Sequence, residues 1–422
     1  MKINNNNNNK EVPNIITAPP SKSYEQRVLA CSLLSNGNCN IYNFGKSDDV
    51  IAARSIIKTL GAKPVIEGEF LEISPGKISS SKILDCNESA LCARLFAPIA
   101  CIFKNEFTIT GHGTLLSRKI AENFLILEQM GSVISHHDYK VPVVFKKARI
   151  KGGEFTIDGS KTSQFVSGLS LALPNCNKAS TIIVKHPSSI NYILLSIEIA
   201  KKFGVNIFYD INATRSELTL NIPDSQKYTA GNFEVEGDWS GSACIMVAAA
   251  IYGKASISRL NPNSIQPDNN ILEVFALSNV KYYWEGEIIH VEKSDLCSFE
   301  FNAKDCPDLI PVLIILAVFA NGKSRIYGTS RLINKESSRG EVMQKELAKL
   351  GIKINLGNDY VEIAGKQKFK INILDSHNDH RIAMALSIIS LKFPDGLKIE
   401  NMKSINKSYP DFLEDLNKII IY

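Results

Sequence analysis

Eight cations stand at one kind of place in this 422-residue chain. Lys22 and Arg27 flank the first small-residue apolar segment, and Arg94 lies inside the next. Arg118 opens an amphipathic segment, and Lys335 and Arg339 precede another. Arg381 follows His380 at the start of the last apolar segment, and Lys407 stands before the C-terminal one. The start of a helix carries unpaired N–H groups and a partial positive charge, so it suits anions. Arg27, Arg94 and Arg381 interrupt or border apolar stretches, where an unpaired guanidinium is very costly. Any one of them could pair with a nearby carboxylate. For the set, a shared anionic ligand is the better explanation. The formal net charge is +5, so without these eight the chain is net negative and its basic character is local. Two phosphates and two carboxylates would bring about five to six negative charges to match them. Asp308 and Glu336 lie among the cations. A helix cap and an ion pair are their ordinary uses, but a general base and a general acid would be useful at the same positions.

What is missing narrows the chemistry. The sequence has no GxxxxGK[ST] loop, no GxSxG and no GxGxxG after a strand, so a nucleotide cradle and the common hydrolase elbow are not expected. His377 and His380 in SHNDHR lack a nearby third ligand, so no metal is expected; Asp379–His380 reads as an orienting pair beside Arg381. The nine cysteines are odd in number and form no CxxC pair, which suits reduced core thiols. The net charge is too mild for a nucleic-acid binder. The longest nearly unbroken apolar run, Leu309 to Ala320, has 12 residues, short of the about 20 that span a membrane. MKINNNNNNK lacks the apolar stretch of an export signal, and Asn4–Asn9 suits a frayed arm. A cytoplasmic protein is expected.

The elements that must position these groups repeat. A polar cap, an apolar small-residue helix, a Gly or Asn turn and a β-branched strand recur from Ser23, Glu88, Thr162, Asp238, Asp308 and Asp379. The intervals are 65, 74, 76, 70 and 71 residues. A more amphipathic helix alternates with the first and ends at Gly61, Gly131, Gly204, Asn279 and Gly351, residues suited to a left-handed cap. Short hairpin-like alternation follows each, as in KPVIEGEFLEI. The chain therefore reads as six βαβαββ copies in two halves of three, dividing near 234–238, with the first helix of each copy buried all round.

The motifs PPSKSYEQR, CNESALCAR, GTLLSR, KTSQF, SINY, VEGDWSGSA, CPDLIP, NKESSR, NDHRIAM and NKSYPDF, in this order, resemble the EPSP synthase family of enolpyruvyl transferases from about residue 12 to the end. The resemblance implies two inside-out α/β domains, each of three βαβαββ repeats: 18–234, and 1–17 with 235–422, with the active site between them. It implies transfer of the enolpyruvyl group of phosphoenolpyruvate to the 5-hydroxyl of shikimate 3-phosphate, giving 5-enolpyruvylshikimate 3-phosphate and phosphate, on the route to chorismate and the aromatic amino acids. Carried over by motif, Lys22, Ser23, Arg27, Thr162, Ser163, Gln164, Ser189, Tyr192, Asp308 and Lys335 contact shikimate 3-phosphate. Lys22, Arg94, Arg118, Gln164, Arg339, Arg381 and Lys407 hold phosphoenolpyruvate. Asp308 takes the hydroxyl proton and Glu336 protonates the methylene; Lys22 is a third candidate for proton work, and the sequence leaves the split open. No cofactor, metal, nucleic acid or membrane is implied, and a monomer is. The chain departs from the family pattern at Pro20, Ala90, Thr162 and Ser338, none of them a charged catalytic position. A sister transferase acting on a UDP-amino sugar uses a loop cysteine, and none stands between Cys101 and Cys176 here. A six-unit sliding clamp would spread its basic residues around a channel, not gather them at helix starts beside carboxylates.

Overall fold

A helix that is small or aliphatic on every face must be covered all round. In the computed structural model, which describes residues 15–333 and 335–421, the opening helices of the copies are covered in this way. Trp239–Tyr252, Ile310–Phe319 and His380–Ser390 are buried along nearly their whole length, as are Ala90–Ala100 and Gln164–Ala172. Each Ile, Leu or Val so covered contributes about 1.5–3 kcal/mol relative to exposure. The Asn4–Asn9 arm, and the assignment of residues 1–14 to the second half, lie outside the described residues.

Contacts divide the chain into two units, Pro20–Val235 and residues 15–19 with 236–421. Pro20–Val235 holds three four-stranded sheets of one pattern. Asn232–Glu234 runs parallel to Cys39–Tyr42, which pairs antiparallel with Phe70–Pro75, and that strand with Ala62–Glu67. Ile83–Asp85 and Phe107–Thr110 start the second sheet and Glu154–Asp158 and Ser180–Lys185 the third, again as parallel pairs. The other unit repeats the pattern twice, from Ile15–Thr17 beside Gly253–Ser258 and from Glu300–Asn302 beside Lys323–Tyr327. The sixth copy is shorter. Leu374–Asp375 pairs with Ile399–Glu400, and the closing strand Ile420–Ile421 returns to Gly253–Ser258 instead of completing a hairpin. The first sheet of each unit thus takes its outer parallel strand from a distant part of the chain.

The caps read from the sequence are present. Gly61, Gly131, Gly204, Gly351 and Asn279 all have positive φ, the left-handed turn that stops a helix. The amphipathic helix expected from Arg118 is not formed as one piece. Arg118 is extended, and Ala121–Phe124 is a 3-10 turn before the short helix Leu125–Gln129. The Ala121 N–H donates to the Tyr139 carbonyl at 2.9 Å, so the hairpin takes a donor that a longer helix would use. Gly168 lets two opening helices approach closely: a Cβ there would lie 2.4 Å from the Leu95 carbonyl oxygen and 2.8 Å from Pro98 Cγ.

Candidate active site

In Pro20–Val235 the cations sit among neutral acceptors. Ser21 caps the helix Lys22–Leu34, accepting from the Tyr24 N–H, and so sets Lys22 and Ser23 at the helix start. Lys22 Nζ is 2.9 Å from Asp49 Oδ2, at the start of the helix Asp48–Thr59. Arg27 is buried one and a half turns further in. Its Nε donates to Ser196 Oγ at 2.7 Å, Nη1 to the Ser23 carbonyl at 2.6 Å, and Nη2 to Ser167 Oγ and the Tyr192 carbonyl. Every nitrogen of this guanidinium meets a protein acceptor, so Arg27 ties three helices together and gathers Ser23 and Tyr192. Burial pushes it down to about 10.

Arg94 Nη1 donates to Gln164 Oε1 at 2.9 Å and Nη2 to the Lys119 carbonyl at 3.0 Å. Burial first, then the like charge of Arg118, lowers Arg94 to about 9. Two arginines that repel one another, one of them buried, make a place where an added anion is stabilising. Gln164 follows Thr162, whose Oγ1 accepts the Gln164 N–H at 3.2 Å, and buried Ser163 stands at the N-cap of Gln164–Ala172. Ser189, buried with φ 51°, stands at the N-cap of Ile190–Lys202, one turn from Tyr192.

In the other unit the cations sit among carboxylates. Arg339 opens the helix Arg339–Lys349 and is 1% exposed. Its Nε lies 2.8 Å from Asp379 Oδ2, Nη1 2.6 Å from Asp308 Oδ1, and Nη2 2.6 Å from Glu336 Oε2. Lys335 Nζ is 3.1 Å from Asp308 Oδ1, and Arg381 Nη2 is 3.8 Å from its Oδ2. Burial alone would raise the Asp308 carboxyl, but Lys335, Arg339 and Arg381 outweigh it and hold it well below the usual carboxylate range. Burial likewise works against the Arg339 charge, and Asp379, Glu336 and Asp308 more than offset it. Arg381 is kept charged by Asp308, Asp238 and Asp268, yet its Nε and Nη1 are buried without a hydrogen-bond acceptor among the described residues. Lys407 Nζ donates to the Asn378 carbonyl at 2.7 Å, tying down a turn in which His377 and Asn378 both have positive φ.

One ordinary reading of the sequence does not hold and another is incomplete. Asp308 does not cap the apolar helix: Leu309 stands at the N-cap of Ile310–Phe319, and the Asp308 carboxylate goes to the cations. Asp379 uses its carboxylate on the Arg381 N–H, Ser337 Oγ and Arg339, so it is more than a neighbour of His380. Residues the sequence reading missed include Asp49 on Lys22, Ser167 and Ser196 on Arg27, and Asp268 near Arg381. Asp268 is buried, accepts from Ser240 Oγ, and is pushed up to about 7 by burial and then by Asp308. Among the described residues no group of three or more His, Cys, Asp or Glu side chains could hold a metal ion. The arrangement offers an anion site on one unit and a proton-handling cluster of acids and cations on the other.

The family model for EPSP synthase (3-phosphoshikimate 1-carboxyvinyltransferase) matches residues 7–416. The 3-phosphoshikimate 1-carboxyvinyltransferase of Clostridium novyi is 34% identical over 418 residues, covering 96% of this chain and 94% of the relative. That of Clostridioides difficile is 33% identical over 419 residues, with the same coverage. Among solved structures, EPSP synthase from Acinetobacter baumannii superposes with a TM-score of 0.77 at 22% identity, covering 96% of this chain and 95% of that one. The enolpyruvyl transferase NikO from Streptomyces tendae gives 0.73 at 14% identity, covering 97% and 95%.

Proposed function

The chain belongs to the EPSP synthase family, and from that premise we propose how its residues divide the reaction. The protein transfers the enolpyruvyl group of phosphoenolpyruvate to the 5-hydroxyl of shikimate 3-phosphate and releases phosphate, a step in aromatic biosynthesis. The proposal concerns residues, domains and setting. Lys22, Ser23, Arg27, Thr162, Ser163, Gln164, Ser189 and Tyr192 serve shikimate 3-phosphate. Lys22, Arg94, Arg118, Gln164, Arg339, Arg381 and Lys407 serve phosphoenolpyruvate. Asp308 and Lys335 meet the 5-hydroxyl, and the two units are two domains that act on one substrate pair.

The chemistry is addition followed by elimination. The 5-hydroxyl oxygen bonds to the central carbon of the enol as the methylene gains a proton. The resulting tetrahedral phosphate then expels phosphate as its methyl group gives a proton back, which restores the carbon–carbon double bond. An enol phosphate is weakly electrophilic at its central carbon until the methylene is protonated, so attack and protonation need an acid and a base together. Asp308 accepts the hydroxyl proton and Glu336 supplies the methylene proton. The arginines stabilise the charge that stays on carboxylate and phosphate throughout. The observation that carries this reading is the gathering of Asp308, Lys335, Glu336, Arg339 and Arg381 in shared ion pairs. The nine free thiols support a reducing compartment, and we place the enzyme in the cytoplasm as a monomer. Among the described residues no helix is long and apolar enough to cross a membrane.

Phosphate release tests the reading. It should require phosphoenolpyruvate and shikimate 3-phosphate together. Release with a UDP-amino sugar as the only acceptor would overturn it.

A further inference from the structure

Arg339 has two edges with different exposure. Asp379, on the Nε edge, has a side chain with 0% exposure, whereas Asp308 and Glu336, on the Nη side, retain 21% and 17%. An anion arriving from solvent reaches the Nη side and not the Nε side. Asp379 is also fixed twice more: its Oδ1 accepts the Arg381 N–H at 3.0 Å and its Oδ2 accepts Ser337 Oγ at 3.0 Å. Glu336 lies three residues before Arg339, ahead of the helix, where no backbone ladder constrains it.

This contact conflicts with the work assigned to Glu336. A carboxylate against a guanidinium is held ionised. An ionised carboxylate has no proton to give to a methylene. The conflict is removed if the contact is temporary. We propose that the substrate carboxylate takes the place of Glu336 on the Nη edge of Arg339, that Asp379 is the positioning residue holding the Nε edge during this exchange, and that the displaced Glu336 takes a proton from solvent. The only bond made is O–H on Glu336, and the proton is the one later passed to the methylene. Away from its arginine and largely buried, with Lys335 the cation still acting on it, the carboxyl moves toward the neutral form. The acid is therefore loaded only when the molecule it will protonate is in place. This inference rests on the assignment of Glu336 as the acid.

Proton counting tests it. Phosphoenolpyruvate is titrated calorimetrically into full-length protein saturated with the 5-deoxy analogue of shikimate 3-phosphate, which lacks the nucleophile. Two buffers of different ionisation heat give the protons taken up on binding. Glu336→Gln is measured alongside, and the difference cancels protons from the substrate phosphate. Wild type should take up more protons than the variant, with the excess fading as the pH is raised. The variant should also bind phosphoenolpyruvate about tenfold tighter, having lost the internal competitor. Removing a negative charge favours any anion, so the proton count decides: equal counts overturn the exchange. Asp379→Asn can still accept the Arg381 N–H, so it keeps the cap. It should raise the KM for phosphoenolpyruvate about tenfold or more while leaving that for shikimate 3-phosphate unchanged. Equal rises in both would overturn the positioning role. If Glu336→Gln keeps more than a tenth of turnover, the acid assignment itself falls. If turnover collapses but proton counts match, that assignment stands and only the exchange falls.

Discussion

Arg94 and Arg339 are both buried arginines, each beside the start of a helix, yet their surroundings are opposite. Arg94 meets an amide oxygen and a backbone carbonyl, and its neighbour Arg118 repels it. Arg339 meets three carboxylates. The same contrast separates the two units more widely. Arg27 is held by hydroxyls and carbonyls, although Lys22 with Asp49 and Arg54 with the buried Glu25 form ion pairs in Pro20–Val235. Positive charge held mainly by neutral acceptors, as at Arg94 with Glu122 only partly offsetting burial and Arg118, attracts an anion by simple addition. Positive charge already matched by carboxylates accepts an anion only by exchange. One unit is therefore suited to holding substrate and the other to coupling its arrival to proton movement.

The comparison can be broken first at the acids. Glu336→Gln and Asp308→Asn should each lower turnover by about 10²–10⁴ with substrate binding mostly retained. Steady-state kinetics decide, and either variant above a tenth of wild-type turnover loses its assigned role. Stability separates the two arginines next. Arg339→Met strands three carboxylates and should cost about 3–5 kcal/mol in urea unfolding. Arg94→Met removes a charge that burial already disfavours, so it should unfold no earlier than wild type while raising the phosphoenolpyruvate KM. Similar losses in both variants would erase the distinction. Packing provides a control away from charge: Gly168→Ala should cost about 1–3 kcal/mol, because its Cβ meets the Leu95 backbone.

The effect that depends on pH concerns Asp268. Burial and then Asp308 push its carboxyl up to about 7, whereas an unfolded Asp titrates near 3.9. Between these values the folded chain keeps a proton that the unfolded chain has lost. The residue's contribution to stability therefore falls as pH rises from about 4 to about 7 and is level above. Asp268→Asn removes that fall, so the stability of the variant relative to wild type should grow across the window and then flatten. Melting temperatures at several pH values would show it, and a difference flat across the window would mean that Asp268 is charged throughout.

Much of this was legible in the sequence because it is local. The left-handed caps at Gly61, Gly131, Gly204, Asn279 and Gly351 follow from residue type and a period near 70, and the buried helices from an absence of polar faces. Lys22, Arg339 and Arg381 were legible for the same reason, each in the first turn of its helix, whereas Arg27 and Arg94 lie more than a turn in and Arg118 is extended. Their partners were not. Arg339 meets Asp308 31 residues away in its own copy and Asp379 40 residues away in the next, and no periodicity predicts which side chains of these copies meet. The broken helix after Arg118 also depends on a distant group, the Tyr139 carbonyl. Asp308 looked like a cap because its helix needed one, and only its three cationic neighbours show why it turns away.

The strand Ile15–Thr17 lies parallel to Gly253–Ser258, more than two hundred residues later in the chain, with Ile16 opposite Ile257. Chain synthesis therefore releases this strand long before its partner exists, and contacts of such sequence separation form slowly. A fragment covering 236–422 alone would present the edge of Gly253–Ser258 with unpaired N–H and C=O groups beyond the short stretch covered by Ile420–Ile421. Such an edge accepts an added strand. A synthetic peptide carrying residues 12–21 should dock there, raise the fragment's melting temperature and suppress its aggregation, and Ile16→Asp in the peptide should abolish the rescue. Split versions of this enzyme would accordingly have to be cut near residues 20 and 235, with the first few residues supplied as a separate strand or fused behind Ile421.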